Sequence, residues 1–372
     1  MLTRRSFLGG SAAALSLAAV NPAFADILYG PADGVVKLNA NENPYGPSPK
    51  AIKAMTEAIN KGAYYADPSV QTLLSMISER FGVPQAQVSL SSGSSGALRS
   101  LASAMLKEGN VLGPDLFWDT TTRLAMQQGG ELKRTAKTAD MGIDLDALAA
   151  SITPDIAMVQ ICNPNNPTGM MLDPDELRAF CIEASKTCTV LVDEAYNEIT
   201  DDPDGNSMVD LVRDGHDVVV ARTFSKVYGM AGLRVGYLLA SPETTAKMRQ
   251  FSNGKYNLNQ AGVAGAVASF DDEAFLDYSR GKIREAREMI MDAVVENGLA
   301  AAPSTTSFVY VDLGDIDADV FKAAMAERNI LIRGVYQDYT SWSRVSAGKL
   351  EDVEKYVRAL PQVLDSVPRI VA

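Results

Sequence analysis

Short β-branched runs alternate with segments of helical period through the middle of this chain, and that alternation restricts its fold more than any other feature. Strands are expected at 110–113, 157–161, 189–192, 217–222 and 235–240, with helices at 119–128, 174–186 and 243–253. Val218 to Val220 reads as a buried strand. Strands separated by helical segments imply a mostly parallel sheet covered by helices on both faces. In open α/β sheets ligands bind at the carboxyl edge, so the residues that follow each run carry the functional information.

The flanking segments complete the outline. Residues 26–45 are dense in Asn, Pro and Gly and read as an extended arm with turns. Ala51–Ile59 is a short helix, Val70–Phe81 has helical period, and Val88–Leu90 is a short strand ahead of a helix over Ala97–Leu106. Asp271–Asn297 is a long amphipathic helix with Leu276, Ile283, Ile290 and Val294 on one stripe. A strand at Ser307–Val311, a helix near 318–327, strands near 329–333 and 342–346 and a helix from 350 read as a smaller α/β domain. At 372 residues two domains are expected. The boundaries are a signal at 1–25, an arm and part of the small domain at 26–55, a large domain at 56–268 and a small one at 269–372.

Charge and rare residues narrow the chemistry. A formal net charge of −12 argues against a nucleic-acid partner. The single histidine, His216, lies in a turn-like Arg-Asp-Gly-His-Asp, so a general base has to be Lys, Tyr, Asp or Glu. Cys162, Cys181 and Cys188 show no metal-ligand spacing. Cys181 falls on the apolar face of a helix that Asp173 caps and Pro174 opens, with Leu177, Phe180 and Ala184.

Thr3-Arg4-Arg5-Ser6-Phe7-Leu8 precedes a mild apolar run from Gly9 to Val20, and Ala23-Phe24-Ala25 offers a small-x-small cleavage site before Asp26. This reads as a signal peptide whose arginine pair resembles the bacterial twin-arginine signal. The run is too short and too rich in Ala and Gly for a stable membrane span. The expected location is periplasmic or otherwise exported, or cytoplasmic where the signal is not used.

Four stretches carry chemistry. Ser92-Gly93-Ser94-Ser95 sits between a strand and a helix, where backbone N–H groups and the helix dipole favour an anion. Asn163-Pro164-Asn165-Asn166-Pro167-Thr168-Gly169 is a stiff turn after a strand, able to present Asn166 to a ligand oxygen. Asp193 ends the run Val190-Leu191-Val192; it serves either as a helix cap or as a partner for a pyridine nitrogen. Lys226 follows a strand in Thr223-Phe224-Ser225-Lys226, with Arg234 further on. A lysine there is solvated, paired or covalently used, and hydroxyls with an arginine suggest a phosphate beside it. A reactive lysine next to a held phosphate suggests pyridoxal phosphate chemistry.

The ordered set resembles a fold-type I pyridoxal phosphate aminotransferase of class I/II, over nearly all of residues 35–365. Leu38-Asn39-Ala40-Asn41-Glu42-Asn43-Pro44-Tyr45-Gly46, Asn165-Asn166-Pro167-Thr168-Gly169, Ser225-Lys226 and Gly232-Leu233-Arg234 are most similar to the histidinol-phosphate aminotransferase branch. The resemblance implies an aspartate aminotransferase-like fold and pyridoxal 5′-phosphate as cofactor. By it, Lys226 would carry the covalent link and move the substrate proton, and Asp193 would pair with the pyridinium. Asn166 and Tyr196 would bond the phenolic oxygen, while Gly93, Ser94, Ser95, Thr223, Ser225 and Arg234 would form the phosphate site. Tyr65 matches a tyrosine supplied by a second subunit, which implies a homodimer with shared sites. Arg344 matches the arginine that clamps the substrate carboxylate, and Arg333 a second one near its distal end, with a structural ion pair as the alternative. The arm would bring Asn43 and Tyr45 to that distal end.

The chain departs from the family pattern in three places. Counting back from Ala125 and Gly129 places Trp118 at the position that stacks on the cofactor, with Phe117 as the alternative. Ser307 stands where Asn is common. An export signal fits poorly with cytoplasmic histidine biosynthesis, so the donor stays open between an amino acid and histidinol phosphate, against a 2-oxo acid such as 2-oxoglutarate. Two rival readings are decarboxylation of an amino acid phosphate ester with the same cofactor, and a non-catalytic binder on this scaffold.

Overall fold

The structure is a computed structural model that describes residues 30–370. The signal-like segment, residues 1–25, lies outside the described residues. The chain divides into a unit ending at Val35 and a second beginning at Val36. In the first, the described residues close one turn, from Val35 N to Ala32 O at 3.0 Å.

The second unit holds twelve strands. In chain order they are β1 (Val36–Lys37), β2 (Val88–Ser91), β3 (Asn110–Gly113), β4 (Leu132–Arg134), β5 (Ile156–Cys162) and β6 (Thr189–Asp193). The others are β7 (Val218–Thr223), β8 (Gly236–Leu239), β9 (Ala300–Ala301), β10 (Phe308–Asp312), β11 (Ile330–Leu331) and β12 (Trp342–Ser346). Seven of them form one sheet in the order β2-β8-β7-β6-β5-β3-β4. Every residue of β6 and β7 is buried, as continuous apolar runs require when both faces of a sheet are covered. The two short strands β1 and β4 carry too little apolar pattern to be expected from the sequence; β4 joins the edge of this sheet beside β3, and β1 pairs with β11 as a separate two-stranded sheet, both in parallel.

Within this seven-stranded sheet only β8 runs against its neighbours. The reason is local. No crossover helix separates it from β7, and a strand that returns without one can pair only antiparallel. Phe224 N donates to Val235 O at 3.0 Å and closes this wide hairpin. Its loop therefore carries Lys226 and Arg234 together at the carboxyl end of β7.

Strands β5 and β6 end level, with Cys162 opposite Asp193, and β7 runs two residues further, with Asp193 opposite Ala221. The helix after β2 spans Gly93–Met105 rather than beginning at Ala97, so Gly93, Ser94 and Ser95 form its first turn. Asp173 caps the helix Pro174–Ala184 by accepting from the amides of Asp175 and Glu176, and Cys181 is buried beneath it. The carboxyl-terminal part builds a second sheet, β12-β10-β9, flanked by the long helix Glu273–Glu296 and the helix Leu350–Ser366. No described helix is long and apolar enough to cross a membrane.

Candidate active site

Five of these carboxyl ends open onto one cavity of about 400 Å³. Its walls are Ser94 and Ser95 after β2, Trp118 after β3, Cys162 and Asn166 at and after β5, Asp193 and Tyr196 at and after β6, and Thr223, Ser225, Lys226 and Arg234 from the β7–β8 loop. Ala40, Asn41 and Glu42 of the arm close it. A second cavity of about 420 Å³ shares Ala40, Asn41, Trp118, Asn166, Tyr196 and Lys226 with the first, and adds Arg333, Arg344, Arg123 and Tyr336. The two are halves of one cleft, with Lys226 on the common wall.

At one end of the first half, polar groups converge without a carboxylate. Arg234 donates to Ser95 Oγ at 3.0 Å, to Ser225 Oγ at 3.4 Å and to Ala231 O at 2.9 Å. Thr223 Oγ1 donates to Ser225 Oγ at 2.9 Å. The helix above begins at Gly93 with no side chain capping its first amides, which leaves N–H donors and the positive end of the dipole facing this corner. Glycine is required at two places. A Cβ on Gly93 would lie 2.1 Å from Arg234 Nη2, and one on Gly236 would lie 2.2 Å from Ser94 N. Cationic, hydroxyl and amide donors packed this closely make a site for a phosphate-sized anion.

At the centre, Lys226 Nζ donates to the Asn41 carbonyl at 2.9 Å and lies 5.3 Å from the centroid of the Tyr196 ring. Burial, then the neighbouring Arg344, push its pKa down to about 8, against the pull of Asp193. Burial pushes the Asp193 carboxyl up to about 7, opposed by the Ala195 amide and Lys226. Burial likewise raises the Tyr196 phenol, whose hydroxyl accepts from Asn41 Nδ2 at 2.9 Å and Asn166 Nδ2 at 3.4 Å. In the second half Arg344 Nη1 donates to Asn166 Oδ1 at 2.7 Å and Nη2 to Asn39 O at 3.4 Å, while its buried Nε has no partner.

Trp118 and Phe117 separate cleanly. Phe117 is fully buried against Gly113, whereas Trp118 faces the cleft. Arg333 is exposed in the second half of the cleft, bridged through its backbone to Arg344, and its guanidinium lies 5.8 Å from the Tyr336 ring. Tyr65 stands outside the cleft, 67% exposed, with its ring edge-on to Tyr256.

The structure does not bring Asn43 and Tyr45 to the cleft. Asn43 is buried elsewhere, donating to Val227 O at 2.7 Å and Ser279 Oγ at 2.9 Å, and Tyr45 accepts from the Leu350 amide at 3.0 Å. A tight turn, Glu42 N to Ala40 O at 2.9 Å, redirects the arm, so Asn41 enters the site instead. Asparagines at alternate positions look equivalent in the sequence, and no signal there singles out Asn41. Arg123, on the helix Thr120–Ala125, and Tyr336 and Gln337, on the loop between β11 and β12, were equally invisible, because tertiary packing brings them to the cleft.

A lysine, a carboxylate and an anion cradle on one sheet edge agree with the comparison to known proteins. The sequence profile of the aminotransferase class I and II family matches residues 33–360. The chain belongs to that family. It is 36% identical over 334 residues to histidinol-phosphate aminotransferase 2 of Ralstonia nicotianae, covering 89% of each protein. It is also 36% identical over 338 residues to histidinol-phosphate aminotransferase 1 of Dechloromonas aromatica, covering 90% of this chain and 91% of that protein. Among solved structures it resembles histidinol-phosphate aminotransferase from Sinorhizobium meliloti in complex with pyridoxal-5′-phosphate. The TM-score is 0.81 at 29% identity, with 89% of this chain and 91% of that chain covered. The fold of this aminotransferase is thus the expected one, a mostly parallel sheet between helices with a smaller α/β part.

Proposed function

We propose that the chain uses pyridoxal 5′-phosphate to move an amino group between an amino acid, or histidinol phosphate, and a 2-oxo acid such as 2-oxoglutarate. The observation that carries this reading is the grouping of Lys226, Asp193 and the anion cradle around Arg234 in one cavity. The uncapped helix start and the two obligatory glycines fit a phosphate, and the donors around Tyr196 fit an anionic ring oxygen.

When bound, pyridoxal phosphate supplies an aldehyde for an amine and a ring that takes up the electron pair released at the substrate Cα. The chain's own residues do the rest. Ser94, Ser95, Thr223, Ser225 and Arg234 would hold the phosphate, and Trp118 would cover a ring face. Asp193 would hold the proton of the ring nitrogen; a cationic ring nearby favours its charged form, against the burial that now raises it. Asn166 and Tyr196 would donate to the phenolic oxygen. Lys226, with its proton loosened by burial, is suited to take the Cα proton and return it elsewhere. Arg344 would receive a carboxylate, which gives its unpartnered Nε an acceptor. Arg333, free of any carboxylate partner among the described residues, would meet a second anion at the far end.

Two features of this reading lie beyond one chain's cleft. Tyr65, exposed on the surface, would complete the phosphate site of a second copy in a homodimer. The twin-arginine-like terminus would export the protein already folded and loaded.

Single-turnover mixing of the loaded protein with a panel of amino acids and histidinol phosphate tests the reaction. Transamination predicts loss of the visible band with stoichiometric oxo product (an oxo acid, or the ketone from histidinol phosphate). Carbon dioxide release would favour decarboxylation instead, and a band unchanged by every donor would overturn both.

A further inference from the structure

Asn41 makes three bonds at the centre of the cleft. Its carbonyl accepts from Lys226 Nζ at 2.9 Å, its Nδ2 donates to Tyr196 OH at 2.9 Å, and its Oδ1 accepts from Ser346 Oγ at 2.7 Å. It is buried, with 6% of its surface exposed. The arm around it is pinned to β12, where Ser346 N donates to Leu38 O at 2.9 Å and Arg344 Nη2 reaches Asn39 O at 3.4 Å. One residue thus touches the lysine, the tyrosine and the strand that carries the carboxylate-binding arginine.

The chemistry of these bonds is directional. A phenol has one proton to donate and two lone pairs to accept with. The Tyr196 oxygen receives amide donors from Asn41 and, more loosely, from Asn166. Its own proton is then left for an acceptor in the cavity it lines. The Ser346 hydroxyl on Asn41 Oδ1 fixes which end of the Asn41 amide faces Tyr196. Arg344 does the same for Asn166 through its bond to Oδ1 at 2.7 Å. Both amides are therefore held donor-end toward the tyrosine.

We infer that Asn41 is a positioning residue: its amide directs the Tyr196 hydroxyl proton into the cofactor cavity, and its carbonyl aims the Lys226 amine from the same arm. This rests on the pyridoxal phosphate reading. A carboxylate at position 41 would keep the size and the Ser346 bond but reverse the polarity toward Tyr196. The tyrosine proton would then turn to the arm and be lost to the cofactor. An alanine would remove the amide donor while leaving the proton free.

The test uses the loaded protein without substrate and reads the pH midpoint of the cofactor's visible band. Asn41→Asp should raise that midpoint by roughly one pH unit, because a donor to the ring oxygen is lost and a negative charge is added. Asn41→Ala should raise it by less. In a Tyr196→Phe background the Asn41→Asp shift should fall by about half or more, since only the charge effect remains. An Asn41→Asp midpoint equal to wild type, or a shift of the same size with and without the Tyr196 hydroxyl, would overturn the inference. Wild-type protein that takes up no cofactor would instead overturn the parent reading.

Discussion

Arg344 Nη1 donates to Asn166 Oδ1 across 2.7 Å, so β12 and the stiff turn after β5 meet inside the cleft. The guanidinium is buried, which lowers its pKa, and its Nε has no acceptor. Removing its side chain strands the asparagine and empties the carboxylate position. Arg344→Ala should lose at least ~2 kcal/mol of transition-state stabilisation toward carboxylate substrates, read as kcat/KM. Arg333→Ala should leave simple amino acids unaffected and weaken donors that carry a second anion. A histidinol phosphate half-reaction indifferent to both changes would remove Arg333 from the site.

Lys226 should be the residue that borohydride joins to pyridoxal phosphate. Peptide mapping checks this, and Lys226→Ala should show no fixed cofactor. In cofactor-free protein its neutral fraction should be about one half near pH 8, where an ordinary lysine is almost wholly charged. Acylation of Lys226 that reaches half its maximal rate only near pH 10 would contradict the effect of its burial.

Asp193 gives a stability signature with a definite sign. In the folded cofactor-free protein its carboxyl holds a proton up to about pH 7, against an ordinary value of 3.8. The folded state therefore binds more protons than the unfolded one between those values, and this group's contribution to stability falls as pH rises through the window. Lys226 adds no slope over most of that window, being charged in both states until close to its midpoint. Asp193→Asn should remove the slope, so the variant's melting temperature exceeds wild type at pH 8 and matches it near pH 4. The same variant should lose roughly a hundredfold or more in kcat/KM, since a charged partner of the ring is gone.

Trp118 and Phe117 should fail in different ways. Phe117→Ala should destabilise the fold by about 3–5 kcal/mol, as expected for a fully buried ring. Trp118→Ala should leave the melting temperature of cofactor-free protein nearly unchanged and weaken cofactor binding by roughly tenfold, the worth of one stacked ring. Denaturant titration and cofactor titration separate the two.

Tyr65 should matter only across a subunit boundary. Light scattering at micromolar concentration should give twice the chain mass. Tyr65→Phe should weaken cofactor binding without lowering the melting temperature, because the ring is exposed in one chain and bears no core load. A fully active monomer would remove the shared site.

Much of this protein could be read along the chain. Continuous β-branched runs such as Val218–Val220 imply a buried parallel strand whatever surrounds them, because only a doubly covered sheet hides an apolar run on both faces. Asp193 ends such a run, and Lys226 and Asn166 lie within four residues of the end of theirs, so their place at the carboxyl edge was a local matter. Other contributions depended on packing between distant segments. The arm contributes Asn41 and withholds Asn43 and Tyr45 because one tight turn and bonds to Ser346, Ser279 and Leu350 set its path. Trp118 rather than Phe117 faces the cleft because Gly113 leaves room for the Phe117 ring inside. Composition and period report what one element buries; which side chain of a loop turns inward is decided by what it packs against, from Gly113 four residues before Phe117 to Ser346 at 305 residues from Asn41, and only the tertiary structure holds that information.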